Sequence, residues 1–85
     1  MLATVASVTN AGRIKRRAAD YGITASVIQT PQILTREGCG YSLRFEDSAH
    51  KIISLSAKEL NIKIRAFFIE SIIDGKKKYT KIQVE

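Results

Sequence analysis

Apolar positions along the chain switch between two periods. Ile14, Ala18 and Tyr21 are spaced by four and three, a buried stripe on one side of a helix, and Ile53, Ala57 and Leu60 repeat it. The two stretches are copies at an offset of 39 residues, most visible in "DYGITA" (20–25) against "ELNIKI" (59–64). The offset carries Thr9 onto Ser48, both good helix N-caps. It also carries Gly22 onto Asn61, the two residue types that most readily close a helix in the left-handed conformation. The pattern predicts helices over about Asn10 to Tyr21 and Ala49 to Leu60. Arg16 and Asp20, four apart, form an expected pair on the first helix.

Strand-like runs flank each helix: Leu2 to Val8 and Thr24 to Gln29 around the first, Tyr41 to Glu46 and Lys63 to Ile73 around the second. Strand–helix–strand twice over is an α+β architecture, the ferredoxin-like βαββαβ sandwich, with an antiparallel sheet and both helices on one face. Alternation gives orientation. Tyr41, Leu43 and Phe45 face the helices, and Ser42, Arg44 and Glu46 face away. The same phase through the repeat puts Thr24, Ser26, Ile28, Lys63, Arg65, Phe67 and Ile69 on the open face. The first strand stays ambiguous, because this phase turns Val5 outward.

The tail "DGKKKYTKIQV" opens on Asp-Gly, a strong hairpin signal. A further strand, Tyr79 to Val84, folds back on its predecessor, which makes a C-terminal hairpin of about residues 64–85 on a single domain of residues 1–85. The register places Phe67, Ile69, Ile82 and Val84 together on the open face. An exposed apolar patch of that size calls for cover, and a symmetric homodimer supplies it. The alternative is a bulge that turns these residues inward.

The chain has 85 residues and a net charge of +6, carried largely by Arg13, Lys15, Arg16 and Arg17 and by Lys76, Lys77, Lys78 and Lys81. That balance favours anionic partners, nucleic acid among them, although charge runs are commonly no more than solvated faces. No apolar run approaches the roughly 18 residues of a membrane span, and a cytoplasmic location is expected. One cysteine makes no internal disulfide, which suits a reducing compartment. One cysteine and one histidine fall short of the three or four ligands of a metal site, so neither metal nor cofactor is expected. His50 has no catalytic partner that sequence can place beside it, and a self-sufficient enzyme is not expected.

The cysteine sits in "TREGCGYS" (35–42), a connection of about ten residues between Pro31 and Tyr41. That exceeds the usual hairpin loop of about 2–5 residues. Ile33 and Leu34 are expected to anchor it. Gly38 and Gly40 leave both sides of Cys39 uncrowded, permit positive φ, and allow consecutive amides to cup an anion. With Arg36 nearby, the thiolate is favoured over the thiol. Cys39 is equally readable as a small hydrophobe beside a turn.

Ser7 and Thr9 at the end of the first strand, Pro31, Cys39–Gly40 and the Leu43–Arg44 pair together resemble the selenium/sulfur carrier protein-like family over about residues 2 to 66. The resemblance implies that Cys39 is a carrier thiol, accepting sulfur or selenium from a donor protein and handing it to an acceptor. Arg36, Gly38, Gly40 and Arg44 would support it. The basic first helix and the long C-terminal hairpin depart from the family's common pattern.

Two other functions compete. The fold underlies an RNA-binding module, and Arg44, Lys63 and Arg65 could touch phosphates, but Tyr41 and Phe45 face the helices and leave no stacking platform. Alternatively, hairpin and open face bind another protein.

Overall fold

A computed structural model describes residues 1–34 and 40–82. The described elements run β1 (Leu2–Val5), α1 (Val8–Asp20), β2 (Ser26–Gln29), a 3-10 turn (Gln32–Leu34), β3 (Tyr41–Arg44), a second 3-10 turn (Asp47–Ala49), α2 (His50–Glu59), β4 (Ala66–Ile73) and β5 (Lys76–Ile82). The strands form one sheet in the order β2-β3-β1-β4-β5, and every neighbouring pair is antiparallel. The fold is α+β, a five-stranded antiparallel sheet with two helices.

The core lies between the sheet and the helices. Ala11, Ile14 and Ala18 of α1 and Ile53 and Ala57 of α2 meet Ala3, Val5, Leu43, Phe45 and Phe67 of the sheet side in one buried cluster. Val5 therefore faces the helices, which resolves the ambiguity of the first strand. Leu2 faces the opposite way yet is fully buried.

Both helices end in the same way. Beyond α1, Gly22 takes φ 83°, its amide donates to Ala19 O, and the Ile23 amide donates to Ala18 O. Beyond α2, Asn61 takes φ 57°, its amide donates to Lys58 O, and the Ile62 amide donates to Ala57 O. These are two Schellman caps, each satisfying two carbonyls that a helix end leaves unpaired. The repeat at 39 residues thus holds down to single hydrogen bonds at the C-termini.

At the N-termini it fails. Ser7, not Thr9, caps α1, accepting from the Asn10 amide at 3.1 Å, and Thr9 lies inside the helix. Ser48 lies inside the 3-10 turn, and α2 starts after Ala49 with no side-chain cap. The stripe fails at Tyr21 as well. Its ring is 41% exposed, with the Arg17 guanidinium 5.5 Å from its centroid and its hydroxyl donating to Glu59 Oε1 at 2.7 Å. Asp20 pairs with Arg17 at 3.8 Å, rather than with Arg16.

The largest correction concerns β4. Ile62 and Ile64 pack on the core, and the next core residue is Phe67, three positions on instead of two. One residue is gained where the strand begins: the Arg65 amide donates to Thr4 O, and ladder pairing with β1 starts at Ala66 opposite Thr4. Every later side chain in β4 is thereby on the face opposite to the one that unbroken alternation from Lys63 predicts. Phe67 is 7% exposed and meets Phe45 edge-on, ring centroids 6.4 Å apart. Ile82, its partner on β5, packs against the same core. Ile69 shares their side by alternation. Val84 lies outside the described residues. The apolar open face on which a symmetric homodimer rested is therefore folded inward, the alternative that a bulge would produce.

Asp74 and Gly75 form the two-residue turn between β4 and β5, with φ 53° and 75° and Ile73 paired to Lys76. Two successive positive φ values are what a type I′ hairpin turn requires, and Asp-Gly supplies them readily.

Candidate functional site

The candidate site is the end of the sheet where β3 begins. Cys39, with Gly38 and Arg36, lies outside the described residues, so its frame starts at Gly40. The Gly40 carbonyl accepts from the Thr30 amide at 2.9 Å, which continues the β2–β3 ladder past Tyr41 opposite Gln29. A Cβ on Gly40 would meet Thr30 Oγ1 and the Val5 carbonyl oxygen, both at 3.5 Å, an ordinary contact. Gly40 is not one of the positive-φ glycines, which are Gly22 and Gly75 among the described residues. Its place does not depend on left-handed backbone, contrary to the sequence expectation.

Three strands converge here. Thr30 Oγ1 and Ser42 Oγ are 2.8 Å apart and tie β2 to β3, and Ser42 is fully buried. Val5 ends β1 opposite Tyr41. Two residues later Ser7 caps α1, so the first turn of a 13-residue helix stands at this same end. The amides of Val8 and Thr9 have no acceptor within a helix of this geometry, and the dipole gives the end a partial positive charge. A groove of about 500 Å3 starts at that turn, lined by Val8, Thr9 and Gly12 and then by Arg13 and Arg16. On the other side, Pro31 leads into the 3-10 turn, where its carbonyl accepts from the Leu34 amide at 2.9 Å. Leu34 is half-buried, but Ile33 is 70% exposed and does not anchor the connection.

Arg44 is on the open face, as alternation in β3 predicts, but its charge is directed elsewhere. It reaches over the central strand to Glu70, with Nη2 3.0 Å from Oε2. The register explains the reach: Leu2 lies between Arg44 on β3 and Phe68 on β4, and Glu70 is two residues beyond Phe68 on the same side. The pair roofs Leu2, which fits its complete burial. The Tyr79 hydroxyl donates to the same Glu70 oxygen at 3.0 Å, and Lys77 Nζ is 3.6 Å from it. Burial pushes the Glu70 carboxyl up, but the Tyr79 hydrogen bond and the charges of Arg44 and Lys77 outweigh it and hold it below the usual carboxylate range. Tyr79 is pushed up, first by burial and then by Glu70. Neither Glu70 nor Tyr79 stands out in the sequence, since the link depends on the shifted phase of β4.

His50 Nδ1 is 2.9 Å from the Asp47 carbonyl oxygen, a local contact of the 3-10 turn. Among the described residues, no three His, Cys, Asp or Glu side chains come together as a metal site would need. No helix among the described residues is long and apolar enough to cross a membrane.

Residues 1–69 fit the family described as "Putative Se/S carrier protein-like". The chain belongs to this family. The matched region holds α1, the connection with Cys39, and Gly40; it stops at Ile69, part-way along β4. Searches of curated proteins and of solved structures return no match.

Proposed function

We propose that this chain is a small carrier on which Cys39 holds a sulfur or selenium atom between a donor and an acceptor protein. The family match over residues 1–69 carries the reading, because that region includes the lone cysteine and its sheet frame. The element order supports a ferredoxin-like double unit, with the cysteine in the connection between its halves. The frame supports the chemistry. One peptide bond joins Cys39 to Gly40, and Gly40 borders the end of the molecule where α1 begins. A helix N-terminus lowers a thiol's pKa by stabilising the thiolate. Arg13 and Arg16 add positive potential along the adjoining groove. Arg44 contributes through Glu70 to the sheet, not to the sulfur.

In the transfer, the Cys39 thiolate attacks the outer sulfur of a donor persulfide. A bond forms between Cys39 Sγ and that sulfur, the donor's own S–S bond breaks, and the donor leaves as a thiolate. The step exchanges one persulfide for another without net oxidation, and an acceptor thiolate reverses it on the far side. A selenium atom follows the same course. A reducing interior, where other thiols stay unpaired, suits this traffic.

Incubation with glutathione persulfide, followed by intact mass spectrometry, tests the reading. The wild type should gain one sulfur atom, removable by a reductant, and C39S should gain none. Alkylation against pH should give an apparent thiol pKa well below the free value of about 8.5. A free-cysteine profile together with no bound sulfur refutes it.

A further inference from the structure

The second half of β4 and most of β5 form an arm. β1 pairs with β4 only from Ala66 to Phe68, and beyond Phe68 the described partner of β4 is β5 alone, through to Ile73 opposite Lys76. Five residues at about 3.4 Å each make a two-stranded ribbon roughly 17 Å long. Its base is fixed by Glu70, held by Arg44 and Tyr79. Its tip carries Ile72 and Ile73, 71% and 50% exposed, and Lys76, Lys77 and Lys78 are exposed beside them. A free two-stranded ribbon is marginal in water, and aliphatic side chains at its tip gain nothing there. The family match ends at residue 69, where the arm begins, so the arm lies outside the matched region.

We infer that the arm binds double-stranded nucleic acid by entering a groove. The distribution of charge favours this occupant. By the ladder register, Lys76 and Lys78 lie on one broad face, and Lys81 lies on the other beside Lys77, which Glu70 holds. A folded protein would meet one face, whereas a groove has phosphates along both walls. The major groove, about 12 Å wide, admits a two-stranded ribbon. Ile72 and Ile73 at the tip offer the apolar contact that the thymine methyl presents in that groove. A second copy of the chain is a poor occupant, since two lysine-rich arms repel. The basic groove along α1 is a weaker candidate, because Arg17 is spent on Glu59 and Asp20. This inference is independent of Cys39.

The test is fluorescence anisotropy with a labelled 20-base-pair DNA duplex, measured from low to physiological salt. Lys77 is paired with Glu70, which leaves Lys76, Lys78 and Lys81 for phosphates. At about 0.9 per phosphate contact, the slope of log affinity on log salt should be about −3. K76Q/K78Q/K81Q should weaken binding at least tenfold and flatten the slope. R13Q/K15Q/R16Q, which removes equal charge from α1, should stay within about threefold. I72S/I73S should weaken binding severalfold with the slope unchanged, and C39S should bind as the wild type does. Equal loss in the two triple variants would show bulk charge at work and overturn the assignment. So would wild-type affinity in I72S/I73S, tighter binding of the single strand than of the duplex, or binding of a glutamate-rich peptide with none of the duplex. Circular dichroism of each variant confirms that the comparison is between folded chains.

Discussion

Phe67 and Phe68 are adjacent in β4 and point to opposite faces, so truncating each reads the phase of the strand directly. Phe67 is 7% exposed, touches Phe45 edge-on and packs with Ile82 in the core cluster. Removing such a ring takes away its transfer free energy and leaves a cavity, and Phe→Ala in a core costs about 3–5 kcal/mol. A domain of this size has about 4–13 kcal/mol in total. Phe67→Ala should therefore lower Tm by more than 10 °C, at roughly 4–8 °C per kcal/mol, or prevent folding altogether. Phe67→Leu, which keeps most of the volume, should remain folded at a cost of about 1–1.5 kcal/mol. Phe68 is only half-buried, beside Lys81 on the other face, and Phe68→Ala should cost about 1–2 kcal/mol, less than full burial of the ring is worth. Urea unfolding followed by circular dichroism gives the three values under one set of conditions. If Phe68→Ala proves more damaging than Phe67→Ala, the gained residue between Ile64 and Phe67 is wrong, and the apolar open face returns.

The two Schellman caps respond oppositely to substitution. Gly22→Ala, at φ 83°, should destabilise by about 1–2 kcal/mol, while Asn61→Gly, at φ 57°, should be neutral or slightly stabilising, both read from thermal melts. Stability should fall at both extremes of pH. Glu59, lowered by hydrogen bonds from Tyr21 and Arg17, and Glu70 contribute fully above the unfolded carboxylate pKa of about 4.3, and the contribution is lost as pH falls through their lower folded values. Tyr21, raised first by its bond to Glu59, and Tyr79 contribute below about pH 10 and lose it as pH rises through their higher folded values. Urea midpoints across pH check both limbs, and Glu70→Gln should make the acid limb shallower; an unchanged limb would mean that its partners contribute nothing.

What the sequence made legible follows how local each signal is. A helix C-terminus is decided by one residue that accepts positive φ, so Gly22 and Asn61 could be matched by eye, and the structure repeats even their hydrogen bonds. A helix N-terminus is less constrained, because several nearby hydroxyls compete. Ser7 took the role from Thr9, and the second copy replaced the cap with a 3-10 turn. Strand phase is the least local of all. It accumulates residue by residue, so the single position gained before Ala66 moved Phe67, Ile69 and Ile82 from the predicted outer face to the inner one and brought Phe68 and Tyr79 out. The open face therefore carries Phe68 and Tyr79 where Phe67 was expected, while Phe45 and Tyr41 pack on the core as read.

The same shift ties fold to function. With unbroken alternation, Glu70 would lie under the helices and Arg44 would have no partner across β1. Arg44 would then stand as a free cation over the sheet, available to an anionic sulfur nearby. The observed phase instead commits it to Glu70 over Leu2 and turns β4 and β5 into a braced arm. Under the proposed carrier function, positive potential for a thiolate would come from the first turn of α1 and the arginines beside it. The two proposed jobs would then sit at opposite ends: one borders Gly40 and a helix start, and the other projects lysines and isoleucines beyond residue 69, where the family match stops. Arg44→Gln distinguishes this division from a shared site. It should loosen the base of the arm and weaken duplex binding, while leaving the pH profile of Cys39 alkylation where the wild type has it. A shift of that profile toward the free-thiol value would return Arg44 to the sulfur and undo the separation.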